Sequence, residues 1–217
     1  METILGDVLI WSWFSEPHGY NFNSLLIPDP DGNLCIDPVE PNDEVMSELV
    51  RMGVSRIILT NRNHVRAANQ VRERTGARSY IHPEDAAYAK AQGAVLDGEL
   101  HDGERIGALT VIGVSGKSPG EVAFLWPERK ALIVGDAVVG NPPGHLSLLR
   151  ERVMDDPARL RRSVQQLLAL DFDTILVGDG VSVIGDAKQR LRELVDSFRL
   201  PTAAKKAKKI AASSRGR

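Results

Sequence analysis

Four short loops dominate the pattern of this sequence, because each follows an apolar, strand-like run and carries polar or charged side chains. They occupy residues 60–66, 115–121, 134–140 and 177–183, with the sequences TNRNHVR, SGKSPGE, VGDAVVG and VGDGVSV. Loops at the carboxyl edge of a sheet are where α/β proteins place binding and catalytic groups. The pattern therefore predicts an α/β fold in which the four loops meet at one edge.

The segments around these loops alternate between strand and helix patterns. The first forty residues are typical of a β-meander, with the turn PDPDGN between two strand-like runs. Later helices carry start signals, such as Asp156 followed by Pro157, and apolar residues at helical spacing. Two sheet-rich halves, each with helices, predict a four-layer αββα sandwich. Helices are predicted over residues 41–53, 63–76, 83–93, 155–171 and 185–198, and a single strand over residues 104–115.

Length and charge predict one domain with a basic tail. The chain has 217 residues, and we place the domain at residues 1–200 and the tail at 201–217. The tail has six basic residues and no acid, so the first 200 residues hold 21 basic and 29 acidic residues, a net charge of −8. A body of this charge has no electrostatic affinity for nucleic acid. We expect nucleic-acid contact only through the tail, which we expect to be disordered.

Composition favours a cytoplasmic protein without a membrane partner. The sequence contains no apolar run near the roughly 20 residues that a membrane-spanning helix needs. Its start has Glu2 and Asp7 where a secretory signal has basic residues. Cys35 is the single cysteine, so an internal disulfide is excluded. Homo-oligomer formation stays open on these grounds.

In their order and spacing, the four loops resemble the signatures of the metallo-β-lactamase superfamily. The first signature is a strand, a Thr and HxHxDH, and here RIIL and Thr60 precede NRNHVR. The second, PGH-S-PG, is matched by SGKSPG; the third, a strand ending in GD, by LIVGD; the fourth, a strand ending in GH, by LVGDG. The resemblance extends from about Asp7 to Phe198. It implies the four-layer αββα sandwich of the metallo-β-lactamase type.

The ligand positions of that family hold different residues in this chain. In the family, two first-motif histidines and the second-loop histidine bind one zinc ion. The first-motif aspartate and last histidine bind a second zinc with the fourth-loop histidine, and the third-loop aspartate bridges both. The residues that stand at these positions are Asn61, Asn63 and Lys117 for the first zinc, Val65, Arg66 and Asp179 for the second, and Asp136 at the bridge.

These residue types are poor partners for zinc. Zinc prefers imidazole, thiolate or carboxylate donors, whereas Asn carboxamides bind it weakly and Val65 offers no donor atom. Lys117 and Arg66 are cations without a free lone pair, so they repel a metal ion. We therefore expect no zinc, no other cofactor and no zinc-dependent hydrolysis, as in a pseudoenzyme with a degenerate site.

The charges of the exchanged residues balance one another. Asp136 and Asp179 are expected to face each other at a buried corner, where unpaired carboxylates are costly. Arg66 and Lys117 add two positive charges, so we expect an ion-pair network in which Asn61 and Asn63 satisfy the remaining polar groups. The same two cations predict that the pocket binds a small anionic ligand.

Two alternatives remain open at the sequence level. A mixed site of His64, Asp136, Asp179 and an Asn would hold one hard or borderline metal ion, provided that Lys117 or Arg66 swings out. The chain would then be a diverged hydrolase of esters or thioesters, with one non-standard metal or none. Asp136 or Asp179 would act as its general base. Whether the chain is an enzyme stays undecided.

Three further histidines are candidates for the rim of the pocket. His64 lies between two ligand positions of the first motif, and we interpret it as a capping or surface residue. His18 lies in the first hairpin, where it overhangs the predicted pocket. His145 lies in the loop after the third motif, a loop that commonly closes over the pocket in the superfamily.

Overall fold

The computed structural model describes residues 1–198 of the chain, so the basic tail predicted at 201–217 lies outside the described residues. Within residues 1–198 the chain forms two β-sheets and five α-helices. None of the helices in this part is long and apolar enough to cross a membrane.

The first sheet contains seven strands that are neighbours in the order of the chain. The first four pair as an antiparallel meander, and the pairs from the fourth strand to the seventh are parallel. The predicted β-meander in the first forty residues is therefore confirmed. These strands are β1 (Glu2–Leu5), β2 (Val8–Ser15), β3 (Tyr20–Ile27), β4 (Asn33–Ile36), β5 (Val54–Ile58), β6 (Arg78–Ile81) and β7 (Gly98–Glu99).

The second sheet contains five strands, of which only the two latest in the chain pair in parallel. The strands are β8 (Arg105–Ile106), β9 (Leu109–Gly113), β10 (Val122–Trp126), β11 (Ala131–Val134) and β12 (Thr174–Val177), and the order across the sheet is β12-β11-β10-β9-β8. The single strand predicted over residues 104–115 is wrong, because Gly107 has a φ of 59° and turns the chain between β8 and β9.

The helices follow the predicted order, with shorter bounds. Asn42 caps the first helix by accepting a hydrogen bond from the Val45 amide at 2.8 Å, and Asp156 caps the fourth by accepting from the Arg159 amide at 2.8 Å. The α-helices are α1 (Asp43–Met52), α2 (Ala68–Thr75), α3 (Pro83–Ala91), α4 (Pro157–Gln166) and α5 (Ala187–Ser197), and short 3-10 helices lie at Pro127–Arg129, Glu151–Val153 and Leu167–Ala169.

The core between the two sheets is apolar. Leu34 and Ile58 of the first sheet pack with Val111, Phe124 and Ile133 of the second in one buried cluster. Each of these side chains is almost fully buried. Burial of such side chains contributes about 1.5–3 kcal/mol each, so this layer holds the sheets face to face.

Two further clusters place helices on the outer face of each sheet. Leu49 of α1 and Val71 of α2 pack with Ile57 of the first sheet. Leu160 of α4 and Leu191 of α5 belong to a cluster that also contains β11 and β12 side chains. The layers therefore run helices, sheet, sheet, helices, and the predicted four-layer αββα sandwich is confirmed.

Helix α2 starts five residues later than the predicted helix at 63–76. Arg66 has a φ of 35°, in the left-handed region, so a right-handed helix cannot pass through it. Residues 61–67 form a loop instead, with the His64 amide donating to the Asn61 carbonyl at 3.1 Å. The first polar loop is thereby kept out of the helix and left at the edge of the sheet.

Candidate functional site

The four polar loops meet around one cavity of about 690 Å³. Loop 60–66 contributes three lining residues, and the other three loops contribute Lys117, Asp136 and Asp179 among others. The β2–β3 hairpin and the segment before α4 close its sides. The lining residues are Pro17, His18, Tyr20, Phe22, Asn63, His64, Arg66, Lys117, Asp136, Val139, Asn141, Ser147, Leu148, Leu149, Arg150, Arg152, Val153 and Asp179.

Strand register brings the two acids to the same edge. In the parallel pair β11–β12, Val134 lies beside Val177, and Asp136 and Asp179 each follow two residues later. Gly135 lets this edge approach the first loop, because a Cβ at that position would collide with the Thr60 side chain. The glycine before each aspartate is thus part of how the fold assembles the site.

Asp37 is the residue of this site that the sequence did not single out. Its carboxylate lies 2.7 Å from Nδ1 of His64 and accepts hydrogen bonds from the Thr60 hydroxyl at 2.6 Å and the Thr60 amide at 2.8 Å. A signal was present, since Asp37 directly follows the buried strand β4. The carboxylate fixes the orientation of the imidazole ring.

His64 is buried inside the site, so its interpretation as a capping or surface residue is wrong. It is 1% exposed, and its Nε2 atom lies 3.2 Å from Oδ1 of Asp136 and 3.0 Å from Nη2 of Arg66. With Nδ1 engaged by Asp37, Nε2 is the ring nitrogen that faces the acids. The left-handed turn at Arg66 and the loop before it aim the ring inward.

Arg66 pairs with Asp179 across the cavity. Its Nη2 atom donates to Oδ1 of Asp179 at 2.9 Å, and its guanidinium lies 4.3 Å from the centroid of the Phe22 ring. The pairing uses one nitrogen only, and Nη1 is buried without a hydrogen-bond partner among residues 1–198. Arg66 therefore binds the Asp179 carboxylate through one nitrogen and not through the paired donors of its guanidinium.

Lys117 pairs with the other acid. Its Nζ atom lies 2.7 Å from Oδ2 of Asp136 and also donates to Oδ1 of Asn63. The Asn63 amide in turn donates to Oδ1 of Asn61 at 2.9 Å. The two ion pairs of the expected network are therefore present, and Nε2 of His64 connects them. The expected role of Asn61 is met only in part, because its Nδ2 atom is buried without a hydrogen-bond partner among residues 1–198.

The two acids differ in their protonation. Burial raises the pKa of Asp136, but the neighbouring His64 and Lys117 outweigh it and hold this pKa well below its usual range. Burial and the Asp136 carboxylate raise the pKa of Asp179, against the effect of Arg66. Asp136 is thus the permanent anion of the site, and Asp179 is the acid more easily protonated.

His64 faces partners that favour opposite protonation states. Burial and Arg66 lower the pKa of His64, but the carboxylates of Asp37 and Asp136 outweigh them and raise it to about 9. A charged ring donates from Nε2 to Asp136, whereas acceptance of the Arg66 hydrogen bond requires a free lone pair on Nε2. The two contacts of Nε2 therefore compete.

Glu121 is a second buried acid that the sequence did not single out. It is the last residue of the second loop, it is 1% exposed, and neither carboxyl oxygen has a hydrogen-bond partner among residues 1–198. Burial and the nearby Asp136 carboxylate raise the pKa of Glu121 well above its ordinary value. No pattern in the sequence signals this burial, because an acid at a strand start is usually exposed.

The remaining predicted site residues are distributed differently. Asn61 and Val65 are buried and do not line the cavity. Val65 packs in the cluster between the first sheet and helices α1 and α2. His18 lies on the rim, where its Nδ1 is 2.7 Å from the Ser15 hydroxyl. His145 is exposed and does not line the cavity.

One group of residues in the cavity has the geometry of a metal site. His64, Asp136 and Asp179 each offer a ligand atom, and these atoms lie within 4.8 Å of one another. An imidazole and two carboxylates suit one hard or borderline divalent ion. The Asn, Val and cationic side chains at the family's other ligand positions do not supply a second set. The residues present therefore fit one metal ion and not a pair.

A sequence profile of the metallo-β-lactamase superfamily matches residues 3–198 of this chain. Among solved structures, the di-iron-bound form of TTHA1623 is 25% identical, covers 80% of this chain and 94% of its own, and gives a TM-score of 0.61. The family protein TTHA1429 from Thermus thermophilus is 20% identical, with 88% and 79% covered and a TM-score of 0.67.

The DIM-1 metallo-β-lactamase exposed to ceftazidime is 16% identical, with 91% of this chain and 96% of that chain covered and a TM-score of 0.72. At such identity the likeness concerns the fold alone. A search of curated proteins found no significant match.

These findings correct the expectation that the chain takes no metal. That expectation was wrong because it rested on the family's ligand positions alone. The three residues that converge are His64, Asp136 and Asp179, which the sequence offered only as part of an alternative mixed site. The structure of TTHA1623, which has a similar fold, is a di-iron-bound form. A histidine between two motif positions supplied the donor that the motif comparison did not count.

The profile covers nearly all of the described residues, and the same two-sheet architecture recurs in every structure compared. The predicted resemblance is thereby confirmed. This chain belongs to the metallo-β-lactamase superfamily.

Proposed function

We propose that the cavity binds one divalent metal ion together with a small anionic ligand. The observation that carries this proposal is that His64, Asp136 and Asp179 converge beside two cations, Arg66 and Lys117, in one cavity. The structure of TTHA1623, which has a similar fold, is a di-iron-bound form, and this supports metal binding by the present chain. The donor set supports one ion per chain.

The proposal excludes the two-metal hydrolysis that the superfamily resemblance implies. A two-metal site needs donors on both ions, and Lys117 occupies the second-loop position with its ammonium already on Asp136. Asn63 is bound to the same ammonium. At these ligand positions, hydrogen-bonded side chains thus take the place of metal donors. In this proposal the chain has the fold of the superfamily without a second ion.

The anionic character of the ligand follows from the cavity wall. Arg66 and Lys117 lie at its base, and Arg150 and Arg152 lie at its mouth as exposed side chains. Four Arg and Lys side chains line the cavity, against the two acids Asp136 and Asp179. A carboxylate or phosphate group would gain charge-assisted hydrogen bonds there.

The residues of the chain have distinct roles in this arrangement. Asp37 holds Nδ1 of His64, so Nε2 is the ligand atom. Lys117 holds one oxygen of Asp136 and leaves the other directed at His64. When bound, a divalent ion supplies Lewis-acid polarisation of a ligand oxygen.

A second candidate function is hydrolysis of an ester or thioester. The observation that favours it is Asp179, which lines the cavity and has a raised pKa. A carboxylate of raised pKa is a stronger base toward water. In this function Asp179 removes a proton from water, while Arg66 and Lys117 hold the anionic part of the substrate. Loss of turnover in Asp179→Asn with retained ligand affinity would separate it from simple binding.

The metal proposal is tested by elemental analysis and calorimetry. Wild-type protein is titrated with Mn²⁺ and with Zn²⁺, and about one ion per chain is expected. His64→Ala should lose this binding, because it removes the one imidazole donor. His145→Ala is the matched control, since His145 is exposed and does not line the cavity. Two ions per chain, or none, would contradict the proposal.

The ligand proposal is tested by thermal-shift screening of carboxylates and phosphates on the metal-loaded protein. A compound that raises the melting temperature should lose at least about tenfold in affinity with Arg66→Ala, which removes a charge-assisted contact. Arg74→Ala is the control, because Arg74 is exposed on α2 and does not line the cavity. Equal affinity in both variants would count against an anion-binding role for Arg66.

A further inference from the structure

We infer that the guanidinium of Arg66 occupies the metal position and is displaced from it when the ion binds, which frees Arg66 to contact the anionic ligand. This inference rests on the proposed single-ion site. Arg66 is then the residue that couples the metal to the ligand, a role for which the superfamily resemblance supplies no counterpart.

The geometry places one atom of Arg66 where the ion must bind. Nη2 lies 3.0 Å from Nε2 of His64 and 2.9 Å from Oδ1 of Asp179, two of the three donors of the metal group. Asp37 engages the other ring nitrogen of His64, so the imidazole has no alternative donor for an ion. A metal ion and the guanidinium therefore cannot bind these donors together.

The third donor is open to the ion without a further rearrangement. Lys117 binds Oδ2 of Asp136, and Oδ1 of the same carboxylate faces Nε2 of His64 at 3.2 Å. Displacement of Arg66 therefore leaves no Arg or Lys side chain between these three groups, and the ion takes the place of the guanidinium and of the Nε2 proton of His64. Of the two cations that the sequence opposed to metal binding, only Arg66 has to leave.

Arg66 has a position to move to. Its side chain lines the cavity and stacks on the Phe22 ring, and Nη1 has no hydrogen-bond partner among residues 1–198. Rotation of its side-chain torsions over that ring would carry the guanidinium into the cavity with the backbone unchanged. The planar group then offers paired donors to a carboxylate or phosphate.

Metal and oxyanion should therefore favour each other. The ion releases Arg66, and an oxyanion that binds the released guanidinium holds it away from His64 and Asp179. Such coupling is reciprocal, so each partner raises the affinity of the other by the same factor. The ligand class is a small carboxylate or phosphate that reaches Arg66 beside the ion.

The displacement is measured directly by arginine modification. Wild-type protein is treated with phenylglyoxal with and without saturating Mn²⁺, and the labelled peptides are quantified by mass spectrometry. Arg66 should be labelled several-fold faster with Mn²⁺, whereas Arg74, exposed on α2, should be labelled at an unchanged rate. Unchanged labelling of Arg66 in a protein that calorimetry shows to be loaded would overturn the inference and leave the single-ion site standing.

The competition is measured by the affinity for the ion. Arg66→Ala should bind Mn²⁺ at least about tenfold more tightly than wild type, a change of about 1.4 kcal/mol. Arg74→Ala removes an exposed cation of α2 that does not line the cavity, and its affinity for Mn²⁺ should stay within about twofold of wild type.

Two outcomes would contradict it. The first is that Arg66→Ala, shown to be folded by circular dichroism, binds Mn²⁺ no more tightly than wild type. The guanidinium of Arg66 would then not occupy the metal position. Failure of both wild type and Arg66→Ala to bind any ion removes the proposed single-ion site together with the inference.

Discussion

At the scale of single residues, the site combines groups whose charge states depend on one another. Lys117 and His64 hold Asp136 ionised, while burial leaves Glu121 without a partner among residues 1–198. A buried carboxyl group with no hydrogen-bond partner is costly when it ionises, so Glu121 stays protonated in the folded protein. This acid therefore lowers the stability of the fold as the pH rises.

Replacement of Glu121 by Gln tests that account. The folded-state pKa of Glu121 is raised above its ordinary value of 4.5. The favourable contribution of Glu121 to the free energy of unfolding is fully present below pH 4.5. It is lost as the pH rises toward the pKa of the folded state, because only the unfolded chain then releases the proton. Glu121→Gln should match wild type near pH 4 and become more stable than wild type at pH 7, as measured by urea unfolding.

Glu40→Gln is the control for this experiment, since Glu40 is exposed. Its free energy of unfolding should follow that of wild type across the same pH range. Parallel curves for Glu121→Gln and wild type would show that Glu121 ionises at a similar pH in both states of the chain, contrary to the account above.

The residues that sequence reasoning missed have a physical reason in common. Asp37 and His64 are 27 positions apart and become partners only because β4 and β5 pair in parallel. His64 lies in a loop with a positive φ at Arg66, and its ring is held by Asp37, and no residue pattern specifies either feature. The motif comparison therefore located the cavity but could not supply the rotation of the loop that makes His64 a donor.

At the scale of elements, helix α3 positions two of the four loops. Asp85 in its first turn is fully buried and accepts from the Arg62 amide at 2.9 Å, the Ser118 hydroxyl at 2.5 Å and the Gly120 amide at 3.0 Å. One carboxylate thus ties loop 60–66 to loop 115–121. The sequence predicted the helix but not this link, because its partners lie in distant segments.

Replacement of Asp85 by Ala should loosen both loops at once. Hydrogen bonds to a charged group contribute about 1.5–3 kcal/mol, and the unpaired donors would remain partly buried. We expect the free energy of unfolding to fall by about 2–4 kcal/mol and amide exchange in the two loops to accelerate. Glu84→Ala, at the neighbouring position, should cost less than about 1 kcal/mol. Equal costs for the two variants would contradict the anchoring role of Asp85.

At the scale of the whole molecule, the pattern of apolar and polar residues was sufficient to predict the four layers of the fold. Apolar strands that end in polar loops predicted two covered sheets, and three separate buried clusters now account for the four layers. The same pattern did not predict strand partners such as β8 and β9, where one glycine turns the chain. Layer order follows from burial, whereas local reversals depend on single backbone angles.

The metal group spans both sheets, which predicts a global effect of the ion on stability. His64 follows β5 of the first sheet, whereas Asp136 and Asp179 follow β11 and β12 of the second. An ion that binds only the folded chain at 100 times its Kd adds about 2.7 kcal/mol. For a protein of this size the melting temperature should rise by about 5–10 °C.

Tryptophan fluorescence can follow each sheet separately. Trp126→Phe leaves Trp11 and Trp13 in β2 of the first sheet, and the double change Trp11→Phe and Trp13→Phe leaves Trp126 in β10 of the second. Saturating Mn²⁺ should raise the melting temperature by the same amount in both variants, because the donors of the ion join the two sheets across their shared edge. The rise should vanish in His64→Ala. A shift confined to one sheet would mean that the ion binds the donors of that sheet alone, and the three-donor site would then be wrong.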